Sequence, residues 1–406
     1  MTVRRLADWS DTRLRRLADE YGTPLYVLDH DRVRENYRRL SGAFPDADVL
    51  YAVKANAGRH ALTTLREAGA GAECASAGEL KRALDAGYSP ENVHYTPVNP
   101  PARDLDYAVD RLAGTDATVT VGSADTLDRL EERGFTGRVL VRVHPGVGAG
   151  HSAEVATGAD AKFGIPRDRV HGVLADAADR GFDVRGLHAH TGSGLLDASD
   201  LDDHRTVVET LAELASESPV PLDRIDVGGG FGVPYRETES PLDLDAVADA
   251  TRDALAGLDV DLAIEPGRYL VADAGVLLTT VNTTKETDGD LLAGVDAGMT
   301  TLVRPALYDA YHAVRSLAPD AADRVTASTS VVGPVCESAD VLGTGRDLPR
   351  VERDDLLAVG NAGAYGVEMA STYNSRPRPA VVALDGDDDR LVRRRETLAD
   401  LTTHEA

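Results

Sequence analysis

The sequence predicts an α/β protein, a (β/α)8 TIM-type barrel followed by a mostly β, β-barrel-like C-terminal domain. Short apolar runs alternate with amphipathic stretches eight times between about residues 48 and 265. Eight strand–helix units over roughly 220 residues approach the usual ~250 of that barrel. After residue 270 the texture changes to strand-like runs separated by Gly, Pro and Asp. The chain has 406 residues, more than the ~250–300 at which a single core stops growing. The expected division is a barrel over 30–270 and a β-rich domain built from 1–29 plus 271–406. A doubly wound open sheet is the alternative arrangement of the same units.

In chain order, Pro24–Leu28 is one strand ahead of the barrel, suited to pair with the C-terminal domain. The barrel strands are Val49–Val53, Gly71–Cys74, Val93–Tyr95, Thr118–Val121, Val139–Val143, Val184–Ala189, Ile225–Val227 and Leu262–Ile264. Helical periodicity lies between them. Ala61–Ala68 stops at Gly69 and Ala77–Ala86 stops at Gly87, glycine being the expected helix stop. The segment Gly146–Gly164 is long, glycine-rich and aperiodic, as functional loops often are. Beyond residue 270 the strands are Val276–Val281, Leu291–Val295, Thr326–Val332 and Ala380–Leu384.

The net charge is −25, from 68 acidic and 43 basic residues. Such a surface repels phosphate and argues against nucleic acid as the main partner. The acid is spread along the chain, and only Lys54, Lys81, Lys162 and Lys285 are lysines. That combination resembles proteins of salt-in halophiles. The N-terminus lacks the apolar core of a signal peptide, and no apolar run approaches the ~20 residues of a membrane span. A soluble, cytoplasmic protein is expected. Cys74 and Cys336 are too few for a disulfide framework and lack metal-ligand spacing, so no metal is expected.

Lys54 ends the first barrel strand in Tyr51-Ala52-Val53-Lys54-Ala55-Asn56. In a chain that prefers Arg, a lysine at the end of an apolar run asks for a chemical reason. Arg cannot be deprotonated in proteins, whereas lysine in a partly apolar site forms Schiff bases. Barrel enzymes act at the C-terminal ends of their strands, and other unusual residues fall there. His188–Gly194 ends the sixth strand, Gly228–Gly232 the seventh and Glu265–Tyr269 the eighth. Gly228–Gly230 could cradle a phosphate at a helix start, although a glycine triplet alone is commonly a tight loop. Glu265 could hold a proton on a ring nitrogen, and His190 could stack on a flat ring. Lysine, anion cradle, carboxylate and stacking histidine together specify pyridoxal phosphate.

These motifs carry a resemblance to the fold-type III pyridoxal-phosphate decarboxylases, the alanine-racemase-like barrel group. It extends from about Tyr21 to Pro379. Tyr-Ala-Val-Lys-Ala-Asn, Glu265-Pro266-Gly267-Arg268 and Gly333-Pro334-Val335-Cys336-Glu337-Ser338 are specific to it. His144–His151, followed by Lys162-Phe163-Gly164, also matches. The likeness is greatest to the branch that converts meso-diaminopimelate to L-lysine and CO2. It implies that Lys54 joins the cofactor, His190 stacks on its ring, and Ser193 with Gly230 binds its phosphate. It places Glu265 at the ring nitrogen, within the Glu265-Pro266-Gly267 segment, and Arg268 between cofactor and substrate. Arg304 and Tyr308 match substrate positions, and Tyr365 a position at phosphate and substrate. Cys336 matches the proton donor and Glu337 a ligand of the substrate ammonium. Both are implied to reach the neighbouring subunit's site, hence a homodimer. Thr191 and Glu73 depart from the pattern, where an aliphatic residue and Asp are common.

The alternatives on this fold are decarboxylases of ornithine, arginine or carboxynorspermidine, with different distal contacts. An alanine racemase would use a tyrosine base in place of Cys336. A non-catalytic pyridoxal-phosphate carrier would lack the second domain. A substrate with a second amino-acid head calls for an anion ligand and a cation ligand at its far end, and Arg304 and Glu337 are of those types.

Overall fold

The computed structural model describes residues 3–146, 149–150, 162–287 and 289–406, with 149 and 150 as backbone only. Most of the Gly146–Gly164 loop, with Val147, Gly148 and His151 of the motif above, lies outside the described residues. The chain divides into two compact units. One comprises Met1–Val33, Pro234–Ser240 and Val271–Ala406, the other Arg34–Val233 and Pro241–Leu270.

Strand β1 (Leu25–Asp29) belongs to the first unit. The second unit holds β2 (Ala47–Ala52), β3 (Gly71–Cys74), β4 (Val93–Tyr95), β5 (Thr118–Val121), β6 (Arg138–His144), β7 (Asp183–His188), β8 (Arg224–Asp226) and β9 (Asp261–Ile264). All eight pair in parallel. The ring closes where β9 meets β2, with Ile264 opposite Val49, and where β5 meets β6, with Val119 opposite Val139. The barrel therefore replaces the open sheet, and its eight strands match the runs read from sequence to within two residues at each end. Closure removes the unpaired edges an open sheet would expose.

The intervening helices start and stop for local reasons. Ser76 accepts a bond from the Glu79 N–H at the start of helix Ala77–Asp85, and the Glu79 carboxylate reaches back to the Ala75 N–H. These bonds satisfy donors that every helix start leaves open. Helix Arg59–Ala68 ends at Gly69, whose φ of 107° is open to a residue without Cβ. Its Leu62 and Leu65 are fully buried. Truncating either to Ala would cost roughly 2–5 kcal/mol.

In the other unit, β1 lies inside a sheet. It pairs antiparallel with β10 (Gly275–Thr287) and parallel with β16 (Ala380–Asp385). Between those two in sequence come β11 (Asp290–Val295), β12 (Val314–Ser316), β13 (Thr326–Val332), β14 (Val341–Pro349) and β15 (Leu356–Val359), and β17 (Asp388–Arg393) follows. The sheet separates two apolar clusters. Tyr26, Leu277, Leu357 and Val381 face one; Leu25, Val27, Val276, Leu278 and Val382 face the other, with Leu14 and Leu17 of helix Asp11–Tyr21. Alternate residues of one strand serve opposite cores, which explains the uninterrupted apolar run at Leu25–Leu28. The expected pairing of the opening strand with this sheet is present. Strands β12, β14, β15 and β17 were not expected. Glycines interrupt β14, and β17 is a charged edge strand, so neither has an apolar signature. Among the described residues no helix is long and apolar enough to cross a membrane.

Candidate active site

Lys54 sits in the one-turn 3-10 segment Val53–Ala55 that leaves β2. Its Nζ lies 2.6 Å from Glu73 Oε2. The pairing of Ala52 with Glu73 across β2 and β3 sets this contact. The Lys54 side chain is 40% exposed and that of Glu73 only 2%. A buried carboxylate therefore holds an amine that still faces the barrel mouth. The ladder continues past the strand ends: Ala52 donates to Pro266 O, Ala189 to Asp226 O and Glu265 to Gly228 O. The loops carrying Lys54, His190, Gly228 and Glu265 are thereby fixed to one another.

Below the mouth lies a layer of charge. Register sets Arg142, His188 and Asp226 opposite one another across β6, β7 and β8, and sets His94 beside Glu73. His188 Nε2 is 3.2 Å from Glu265 Oε2. Asp226 accepts from the Gly228 N–H at 2.9 Å and lies 3.6 Å from His94 Nδ1. Burial pushes the Glu265 carboxyl well above its ordinary range, and the nearby charges of Asp226 and Glu73 push it the same way. Burial also opposes charge on Asp226. There the His94 imidazole 3.6 Å away, the neighbouring His188 imidazole and the Gly228 N–H outweigh it and bring the value to about 2. Asp226 thus keeps the negative charge, and Glu265 is the member of the pair that holds a proton. Burial lowers His188 to about 4, with Arg142 and Lys54 acting in the same direction. Glu265 Oε1 is buried with no hydrogen-bond partner among the described residues.

His190 follows β7, and its Nδ1 accepts the Gly229 N–H at 3.1 Å. That bond fixes the ring plane. Burial, then the charges of Lys54 and Arg142, hold its imidazole well below the ordinary value. It is therefore a neutral ring. Gly230 O accepts from both Gly194 and Leu195, and Arg268 Nη2 donates to Ser193 Oγ at 3.0 Å. A Cβ at position 230 would lie 2.2 Å from Leu195 Cδ1, and one at 229 would lie 2.3 Å from Glu265 O. Only glycine lets these loops meet.

The expected helix start at the glycines is corrected. The next α-helix begins at Leu244, capped by Asp243, because Pro234–Ser240 intervenes. Two of the three N–H groups are also spent internally, on Asp226 and His190. The cradle is a loop–loop junction carrying the Ser193 hydroxyl and Arg268. At the ends of β4, β5 and β6, Arg142 lies 5.0 Å and Lys162 5.5 Å from the Phe163 ring. These three residues and Asn99 line a small cavity.

The remaining expected residues lie in the other unit. Arg304 opens the short helix Arg304–Tyr308 and is 2% exposed. Its Nη1 donates to Tyr235 Oη at 2.9 Å and meets His312 Nε2 at 3.1 Å. His312 Nδ1 bonds Gly360 O at 2.8 Å. A carbonyl only accepts and a guanidinium only donates, so Nδ1 carries the proton and Nε2 is bare. The Tyr235 ring stands edge-on to His312 at 5.2 Å. Tyr235 comes from Pro234–Ser240, which Arg5 and Asn361 fasten through Arg236 O, Glu239 O and Pro234 O. Cys336 and Glu337 are exposed and side by side. Glu337 accepts from the Tyr373 hydroxyl, and Cys336 Sγ is 3.4 Å from Asn374 Nδ2. Tyr365 follows Gly363 with φ of 55°.

The sequence reading missed Asp226, His94, Arg142, Tyr235 and His312. The first three carried a signal, a polar or charged residue set inside an apolar run. Tyr235 and His312 carried none, because their contact with Arg304 arises only in the fold.

The residues present fit pyridoxal phosphate. An amine at the mouth, a planar neutral imidazole, a glycine junction with Ser193 and Arg268, and a buried carboxyl oxygen lacking a partner suit its aldehyde, ring, phosphate and ring nitrogen. A family model described as pyridoxal-dependent decarboxylase, pyridoxal binding domain, matches residues 30–272. The chain is 42% identical over 402 residues to a diaminopimelate decarboxylase of Methanothermobacter thermautotrophicus, covering 95% of this chain and 92% of that one. It is 40% identical to that of Deinococcus radiodurans, covering 95% and 96%. The structure of a Helicobacter pylori diaminopimelate decarboxylase complexed with L-lysine matches with a TM-score of 0.88 at 32% identity, covering 96% of this chain and 98% of that one.

Proposed function

The chain belongs to the pyridoxal-dependent decarboxylases, and from that membership we propose that it converts meso-diaminopimelate to L-lysine and CO2. The observation that carries the chemistry is the combination of a mouth lysine, Lys54, with a buried, proton-holding Glu265 whose Oε1 has no hydrogen-bond partner among the described residues. Full-length likeness to diaminopimelate decarboxylases supports the choice of substrate. Bound pyridoxal phosphate supplies an electron sink for the pair left on the α-carbon when CO2 departs.

The chain's own residues prepare that event. Lys54 would hold the cofactor through its amine, and Glu73 orients the amine. His190 presents a flat, uncharged face. Ser193, Gly230 and Arg268 hold the phosphate end, with Tyr365 also assigned there. Glu265 would hold the cofactor's ring nitrogen through its proton, and anionic Asp226 helps keep that proton on Glu265. Pro266 and Gly267 keep Glu265 and Arg268 in register. Arg304 and Tyr308 read the distal carboxylate, and Glu337 reads the distal ammonium. Cys336 returns a proton to the α-carbon.

We also propose a homodimer in which Cys336 and Glu337 serve the neighbouring subunit's site, acting in a salt-rich cytoplasm. The exposure of Cys336, Glu337 and Tyr373 supports the first part, and the −25 charge supports the second. The deciding experiment incubates the cofactor-loaded protein with meso-diaminopimelate, ornithine, arginine and L-lysine in parallel and identifies the products. L-lysine from the first substrate is expected. Faster turnover of ornithine or arginine would make the chain a decarboxylase of another basic amino acid.

A further inference from the structure

We propose that Asn374 is the positioning residue of the Cys336 thiol. It would hold the thiol as a proton donor and stabilise the charge left after transfer. The proposal rests on the reading of Cys336 as the proton donor.

Cys336 stands on a closed loop. Gly333 donates to Asp340 O at 2.8 Å, Asp340 donates to Glu337 O at 3.0 Å, and the Asp340 carboxylate accepts the Val335 N–H at 2.6 Å. A second segment reaches across to it. Tyr373 donates its hydroxyl to Glu337, and Arg376 Nη2 donates to Pro334 O at 3.1 Å. Between them the Asn374 amide meets Cys336, with Sγ 3.4 Å from Nδ2 and 3.9 Å from Oδ1. Three side chains of one short segment thus grip three residues around the thiol.

The backbone under this grip is unusual. Asn374 has φ 57° and ψ 26°, and Ser375 has φ 52°. Two consecutive non-glycine residues in the left-handed region persist only where the surroundings over-determine them, and such sites cluster at function. Asn is among the residues that tolerate this region best. A glycine would relieve the backbone at 374. It would also remove the amide.

An amide suits both states of a proton donor. Its oxygen accepts from S–H and so aims the thiol. When the S–H bond breaks, the proton forms a C–H bond at the α-carbon and the electron pair stays on sulfur. The Nδ2–H group then donates to the thiolate. The adjacent Tyr373 hydroxyl is kept protonated by its bond to Glu337, so it does not compete as a base for the same proton.

The test uses the cofactor-loaded protein and reads alkylation of Cys336 by iodoacetamide at fixed mildly alkaline pH. Cys74 is fully buried and burial pushes its thiol well up, so the labelled residue is Cys336. Asn374→Gly keeps the left-handed backbone and removes the amide. It should slow alkylation on the order of tenfold, the scale of a hydrogen bond to a charged group. Asn374→Asp should slow it further, because a carboxylate repels the thiolate, and it carries the test if the glycine variant does not fold. Alkylation at or above the wild-type rate in the folded variant overturns the proposal, since a merely structural Asn374 would leave the thiol equally or more reactive. Full turnover by Cys336→Ala would instead overturn the reading of Cys336 itself, so the two failures are told apart.

Discussion

Lys54 Nζ lies 2.6 Å from the buried carboxylate of Glu73. The contact gives the departure at Glu73 a physical meaning. The acidic residue arrives from the next strand, and its length decides where the amine points. Lys54→Ala should therefore abolish decarboxylation and the visible absorbance of bound cofactor while leaving the fold intact, since the Lys54 side chain is 40% exposed. Absorption spectra and thermal melts check both halves. An active Lys54→Ala protein with an unchanged spectrum would refute the assignment.

Arg304→Ala should lower kcat/KM for meso-diaminopimelate by about 10³-fold, because a distal carboxylate would lose its buried cation. His312→Phe removes the imidazole that steadies Arg304 and should raise KM by about tenfold with a smaller change in kcat, the scale of one hydrogen bond to a charged group. Neither change should move the cofactor spectrum. Steady-state kinetics with parallel spectra test this, and an unchanged KM in His312→Phe would contradict it.

Acid should destabilise the protein through His204. Its Nε2 donates to Thr251 Oγ1 at 2.8 Å, while that hydroxyl gives its own proton to Val247 O. Burial lowers the imidazole from 6.5 to about 4. The folded-state value lies below the unfolded one, so the contribution is intact above pH 6.5 and is lost as pH falls through about 4. A shift of that size corresponds to about 3 kcal/mol. Denaturant melts between pH 7 and 4 should show a shallower decline for His204→Gln than for wild type; equal slopes would exclude this source.

The thermal midpoint should rise with KCl. The 25 excess negative charges repel one another. Half-buried arginines such as Arg180, bonded to Asp128, Glu131 and Asp176, offset only part of that repulsion. The screening length falls from ~10 Å at 0.1 M to ~3 Å at 1 M salt. Each 1 kcal/mol regained is worth roughly 2–4 °C. A midpoint that does not rise between dilute buffer and molar KCl would reject salt adaptation.

The barrel was legible because each strand is an apolar run and each chemical residue closes one: Lys54 after β2, His190 after β7, Glu265 after β9. Position along a strand translates directly into position at the mouth. The internal acid layer was harder, since Asp226 and Arg142 acquire meaning only when register sets them opposite His188. Strand β17 escaped notice because an edge strand in water needs no apolar face. The phosphate junction was misplaced for a different reason. Glycine spacing shows that backbones approach closely but does not show which element comes next, and Pro234–Ser240 intervenes before the helix at Leu244. The support of Arg304 by Tyr235 and His312 has no local signature at all.

The central place of β1 has a consequence for the order of assembly. Leu25–Asp29 leaves the ribosome long before its partner β16, with the whole barrel made between them. The sheet of that unit cannot close until β16 has been made. The barrel strands lie between the two partners in sequence, so they can form while β1 waits unpaired. Contacts of such high sequence separation fold slowly. During synthesis, the exposed Leu-Tyr-Val-Leu run of β1 is the segment most open to capture by a chaperone or by another nascent chain.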